Sequence, residues 1–218
     1  MTRILAVADE ESNLAYGGTF AAMQPDLIVA CGDLSYDYLE YLVTTINRPL
    51  VYVLGNHDPA APSADCELPV PWTHGFFEEN VVRPEGCTSV EGRVKEAAGL
   101  RIAGLGGSFR YSDGPNQYTE AQMRRRCVRL AAKSRLLRRR GERPIDVLVT
   151  HAPPFGLGDG DDVCHRGFAS FHRLVTATSP RFLVHGHIHP YGRGNGDRKL
   201  GSTTIVNAIA YRLLEITP

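Results

Sequence analysis

Five apolar runs in this chain each lead into a residue able to hold a cation. Ile4–Ala8 precedes Asp9, and Leu27–Ala30 precedes Gly32-Asp33. Leu50–Leu54 precedes Gly55-Asn56-His57-Asp58, Ile145–Val149 precedes His151, and Phe182–Val184 precedes His185-Gly186-His187-Ile188-His189. Runs this short and this apolar suit strands of a parallel sheet, buried on both faces. The segments Asn13–Met23, Tyr36–Ile46 and Gly167–Ala177 between them read as amphipathic helices, so the order is that of repeated β-α-β units. Open parallel sheets bind ligands beyond the carboxyl ends of their strands, and that is where these polar residues fall.

The rest of the chain fits one domain, residues 1–218, of the α/β class. A 43% hydrophobic and 22% charged composition supplies a core and excludes disorder. No run approaches the roughly 20 apolar residues of a membrane span, and Met1–Asp9 lacks the pattern of a secretory signal, so a cytoplasmic protein that makes no membrane contact is expected. Five cysteines without a CxxC pair argue for free thiols, against both a disulfide framework and a thiolate zinc site. Pro59–Pro71 is a surface excursion without periodicity. Thr88-Ser89-Val90, Val94–Ala97 and Leu100–Leu105 predict an antiparallel meander. Its glycines Gly104, Gly106 and Gly107 are not a phosphate-binding loop, because no Lys-Ser/Thr follows. Thr119 and Gln122 predict a capping box opening a helix with the stripe Met123, Cys127, Leu130 and Leu137, stopped at Gly141. Strands over Thr203–Val206 and Arg212–Ile216 close the chain.

Charge narrows the function. The 24 basic and 24 acidic residues cancel, yet nine of the basic ones lie between Met123 and Arg140 with no acid among them. One helix is therefore basic and the remainder acidic, which disfavours a protein built to coat nucleic acid. No aromatics interleave with the arginines to stack bases, so the stretch reads first as a solvated helix face. Carboxylates gathered with imidazoles at one sheet edge repel one another unless cations sit among them. Two metal ions with mixed oxygen and nitrogen ligands suit such a set, and that arrangement serves phosphoryl chemistry.

The set Asp9-Glu10-Glu11, Gly32-Asp33, Gly55-Asn56-His57-Asp58, His151 and Gly186-His187-Ile188-His189 resembles, in order and spacing, the calcineurin-like metallophosphoesterases. The resemblance implies a four-layer α/β/β/α sandwich and a dinuclear hydrolase of phosphate esters, with a metal-bound hydroxide attacking in line. Carried over by position, Asp33 would bridge two divalent ions. Asp9 and His189 would bind the first, and Asn56, His151 and His187 the second. His57 would help the leaving oxygen depart, oriented by Asp58. His185 lies outside the motif and is expected to be structural.

One position departs from the family: Glu11 stands where histidine is usual. As a ligand it would make the first site harder, suited to Mn or Fe more than to Zn, with Zn or Mg as the alternative pair of divalent ions. Its extra charge would favour phosphodiesters over monoesters. A lost first site, leaving a scaffold of the same fold, is the competing reading, and a nuclease served by the basic helix is another. His165, Arg166 and, more weakly, Arg110 and Ser108 are candidates to contact a small phosphate-ester substrate. Asp159–Asp162 lacks the spacing of a calcium loop and reads as an acidic surface turn.

Overall fold

A computed structural model describes residues 1–60, 83–138, 143–189 and 196–217. Two sheets make up most of it. The first has the order β13-β1-β2-β3-β4, with β1 Thr2–Ala8, β2 Leu27–Ala30, β3 Leu50–Tyr52 and β4 Cys87–Ser89 parallel and β13 Ala210–Ile216 antiparallel to β1. The second has the order β11-β12-β10-β9-β6-β5. In it β6 Leu100–Leu105, β9 Val147–Thr150, β10 Phe182–His185 and β12 Thr203–Asn207 are parallel, and β5 Val94–Ala97 and β11 Arg198–Leu200 run antiparallel at the edges. A two-residue pairing of β7 Ser108–Phe109 with β8 Gln117–Tyr118 stands apart.

The period-2 alternation of the strands sorts the core into layers. Ile4, Ala6, Val29 and Val51 of the first sheet meet Ile102, Val147, Val149, Val184 and Val206 of the second in one shared cluster. From the other face of the first sheet, Leu5, Val7, Ile28 and Leu50 pack on Phe20, Tyr38, Leu39 and Leu42 of the helices. Ala103, Leu105, Leu148 and Leu183 of the second sheet pack on Met123, Cys127, Leu130, Phe171 and Leu174. The result is the mixed α/β fold expected, with strands buried on both faces.

Several expectations need correction. Asn13–Met23 is not one helix but two single turns, α1 Asn13–Tyr16 and α2 Thr19–Ala22, broken where Gly18 takes a left-handed φ of 74°. The predicted meander is only half present. Val94–Ala97 and Leu100–Leu105 form the hairpin, whereas Cys87–Ser89 pairs parallel with Leu50–Tyr52 in the other sheet. The chain changes sheets at Val90, whose buried side chain joins the core between them. It returns after β12, so the two closing strands also belong to different sheets.

Helix α3 spans Tyr36–Ile46, capped by the Ser35 hydroxyl. Helix α4, Glu120–Leu136, opens on the expected capping box: Gln122 N donates to Thr119 Oγ1 and Thr119 N to Gln122 Oε1. Met123, Cys127 and Leu130 face the core, but the next inward residue is Ser134, and Leu137, past the end of the helix, is 59% exposed. Arg101 reaches from β6 to accept that helix end, donating to the carbonyls of Ser134 and Leu137. Gly141, Arg139, Arg140 and residues 61–71 of the excursion lie outside the described residues. Helix α5 covers Ser170–Thr178. No helix among the described residues is long and apolar enough to cross a membrane.

Candidate metal centre

The fold brings the carboxyl ends of β1, β2, β9 and β10 to one edge. There the ligand atoms of Asp9, Asp33, His151 and His187 all lie within 4.8 Å of one another. Asp9, Asp33 and His187 each have a left-handed backbone, with φ of 58°, 56° and 67°. Non-glycine residues rarely adopt it, and here it turns each side chain from its strand into the shared space. Glycine is required beside them: a Cβ at Gly55 would overlap Asp33 Oδ1, and one at Gly186 would overlap Asp9 Oδ2.

Hydrogen bonds settle which nitrogen each imidazole offers. His151 is fully buried; Nδ1 lies 2.7 Å from the Cys31 carbonyl, and Nε2 lies 3.0 Å from Asn56 Oδ1 and 3.3 Å from Asp33 Oδ2. The Cys31 carbonyl takes the Nδ1 proton and leaves Nε2 facing Asn56 and Asp33. Burial alone would depress the His151 pKa, but the Asp33 hydrogen bond and the charges of Asp33 and Asp9 raise it to about 9. His187 Nε2 donates to the Cys164 carbonyl at 2.7 Å, which leaves Nδ1 as its open nitrogen. Burial and the charge of His151 push its pKa down to about 3.

The carboxylates are set apart by the same contacts. Burial raises the Asp9 pKa, against the charge of His151 and the amide of His187, which donates to both Asp9 oxygens. At Asp33 burial pulls the same way, but the hydrogen bond and charge of His151 and the amide of His57 prevail and its pKa is lowered.

Other predicted residues fall around this group. Asn56 is buried, with Nδ2 donating to the Tyr111 hydroxyl at 3.2 Å. His57 is exposed, its amide held by Asp33 Oδ1. Asp58 accepts from the amides of Asp33 and Gly55 at 2.9 and 2.7 Å through one oxygen, Oδ2, tying two motif loops together. His189 lies outside the four-residue group, with Nδ1 3.0 Å from Glu10 Oε1. Glu11 also lies outside it, at the exposed rim, where Ser35 Oγ and the Tyr16 hydroxyl donate to its carboxylate.

His165 stacks toward the centre, its ring 5.6 Å from that of His187. The Arg166 guanidinium lies 5.1 Å from the ring centres of both Phe109 and Phe155. Arg110 is exposed beside β8, Ser108 is fully buried, and His185 is a buried strand residue with its Nδ1 facing the Gly186 carbonyl.

Sequence reading missed Glu10, Tyr111 and Asn116. Asn116 Nδ2 donates to the carbonyls of Gly55, Asp58 and Pro59 and so braces the third motif from a loop some 60 residues away. Nothing in its local spacing signals that role.

Residues 10–191 match the model of the calcineurin-like phosphoesterases. The chain belongs to that family. Within the matched span lie every motif named above except Asp9, one residue before it. One crystal structure aligns over 97% of this chain and 94% of its own length, with a TM-score of 0.64 at 17% identity. TT1561 of Thermus thermophilus aligns over 95% and 88%, with a TM-score of 0.58 at 18% identity. At these identities the likeness is one of fold. No curated protein matches the chain.

For this phosphoesterase-family chain the residues fit the divalent ions the family implies. Two carboxylates and two imidazoles converge within one ion's reach, and glycine clears space for the carboxylate oxygens.

Proposed function

We infer that this chain is a metal-dependent hydrolase of small phosphate esters, with phosphodiesters preferred. The convergence of Asp9, Asp33, His151 and His187 at one sheet edge carries this reading. In it Asp33 would serve two ions, Mn or Fe by preference; Asp9, Glu11 and His189 would hold the first, and Asn56, His151 and His187 the second. Such ions supply Lewis-acid polarisation of the phosphoryl group and an ionised water at neutral pH.

The protein's own groups supply orientation and proton movement. The Cys31 carbonyl holds His151 Nδ1–H and turns Nε2 to the site; the Cys164 carbonyl does the converse for His187. Ser35 and Tyr16 fix the Glu11 carboxylate from outside, as donors behind a ligand do. The exposed His57 ring gives a proton to the leaving oxygen, and Asp58 positions its loop by holding the Gly55 amide there and the Asp33 amide in the neighbouring loop. In this reading His165, near His187, and Arg166 contact the outer oxygens of the phosphate.

Hydrolysis of chromogenic phosphate diesters and monoesters by Mn-loaded protein tests the reading, with metal content measured alongside. Activity should vanish with chelator and return with Mn, and Asp33→Ala should lose both metal and turnover. Protein that holds only one ion in excess Mn and is inert to every ester would favour the scaffold. A nuclease is the second enzyme reading, supported by exposed Arg124, Arg125 and Arg129 on α4. Their replacement by Gln should leave small-ester hydrolysis unchanged; loss confined to oligonucleotide substrates would assign the helix to nucleic acid.

A further inference from the structure

Cys164, counted from the sequence as a plain free thiol, is drawn in the fold into a second cluster of ligand-type atoms. Asp162, Cys164 and His165 each present one such atom within 4.8 Å of the others, in a group separate from the four residues of the centre. The loop that carries them is closed from behind. Asp159 accepts from the amides of Gly156 and Gly167 at 2.8 and 3.0 Å, and Gly160 N donates to the His165 carbonyl at 2.9 Å. Across the top, Asp162 Oδ1 lies 2.9 Å from both Cys164 Sγ and His165 Nδ1, and Sγ lies 3.9 Å from Nδ1.

We propose that Asp162, Cys164 and His165 bind a borderline-soft divalent ion such as Zn²⁺ at the rim of the centre. Sulfur, imidazole nitrogen and carboxylate oxygen form a donor set suited to that ion, and three protein ligands leave a fourth position for water or another exchangeable group. Tetrahedral zinc with ordinary bond lengths would put such atoms about 3.3–3.6 Å apart. The three separations therefore straddle the required ones, and shifts of about half an ångström in exposed side chains would complete the site. Binding sends the thiol proton to solvent. Chemistry separates this site from the main one: the centre offers oxygen and nitrogen donors, the rim a sulfur. Cys164 also joins the two, since its carbonyl accepts from His187 Nε2.

Cobalt(II) reports the difference, because only a thiolate ligand gives a sulfur-to-cobalt charge-transfer band. Metal-free full-length protein titrated with cobalt should develop that band, and zinc should abolish it by displacement. Cys164→Ser should lose the band and one bound cobalt while keeping the metal held by the centre. Absence of the band at saturating cobalt would overturn the proposal, as would a band that survives in Cys164→Ser. If that variant does not fold by circular dichroism, Asp162→Asn decides: half-saturation of the band should move to higher cobalt, and an unmoved midpoint refutes the site. No turnover is measured, so the outcome is independent of whether the centre hydrolyses esters.

Discussion

His151 Nε2 lies 3.3 Å from Asp33 Oδ2 in a site from which water is excluded at the imidazole, so the metal-free centre holds a buried imidazolium against its central carboxylate. That contact, with the charge of Asp9, raises the His151 pKa to about 9 and favours a proton on the ring.

That proton makes the metal-free protein sensitive to alkali. The folded pKa of His151 is about 9 against an ordinary 6.5, so its contribution to stability is complete below pH 6.5 and is lost as pH rises through about 9. In chelator, Tm should fall across that window. Protein loaded with Mn should not show the fall, because the ions replace the proton, and His151→Gln should flatten it in chelator as well. Equal slopes with and without metal would contradict the assignment.

Within the third motif, His57 and Asp58 should separate chemistry from architecture. His57→Ala should keep its metals and stability but lower kcat by roughly 10²–10⁴-fold, the usual effect of removing a general acid. Asp58→Ala leaves the amides of Asp33 and Gly55 without their acceptor, at a cost of about 1–3 kcal/mol for each buried donor. Thermal melts and metal content should therefore both fall for Asp58→Ala. Loss of metal from His57→Ala would make it a ligand instead.

The two motif glycines give a steric test. Gly55→Ala drives a methyl into Asp33 Oδ1, and Gly186→Ala drives one into Asp9 Oδ2 and against the buried Ala8 methyl. Each should reduce turnover by about 10²-fold or more through displaced carboxylates, with a near-native circular dichroism spectrum. Metal titration should show weakened binding in both. Full activity in Gly55→Ala would mean that Asp33 has room the structure does not give it.

Glu11 should set the ester preference. Two divalent ions carry four positive charges, of which Asp9, Asp33 and Glu11 offset three, whereas histidine in place of Glu11 would leave two. A monoester brings close to two negative charges and a diester one, and uncompensated charge in a partly desolvated pocket is costly. The ratio of diester to monoester kcat/KM should therefore fall in Glu11→His with the same metal. An unchanged ratio would assign selection to pocket shape.

The sequence by itself marked the buried parallel strands and the four residues that cluster, but not the short β7, β8 and β11. Period-2 burial and apolar runs are local signals, and Gly-Asn-His-Asp and Gly-His-x-His carry their chemistry in a few adjacent positions. What it could not determine is anything set by approach of distant segments. The break at Gly18 was hidden by helical spacing on both sides, and Cys87–Ser89 looks like its hairpin neighbours although it pairs in the other sheet. Asn116, Tyr111 and the carbonyls of Cys31 and Cys164 act on the site across tens of residues, through backbone atoms or side chains that no spacing marks. The protonation of His151 belongs to the same class. An isolated histidine titrates near 6.5, and only tertiary structure, by burying it between Asp33, Asn56 and a carbonyl, decides that it is charged.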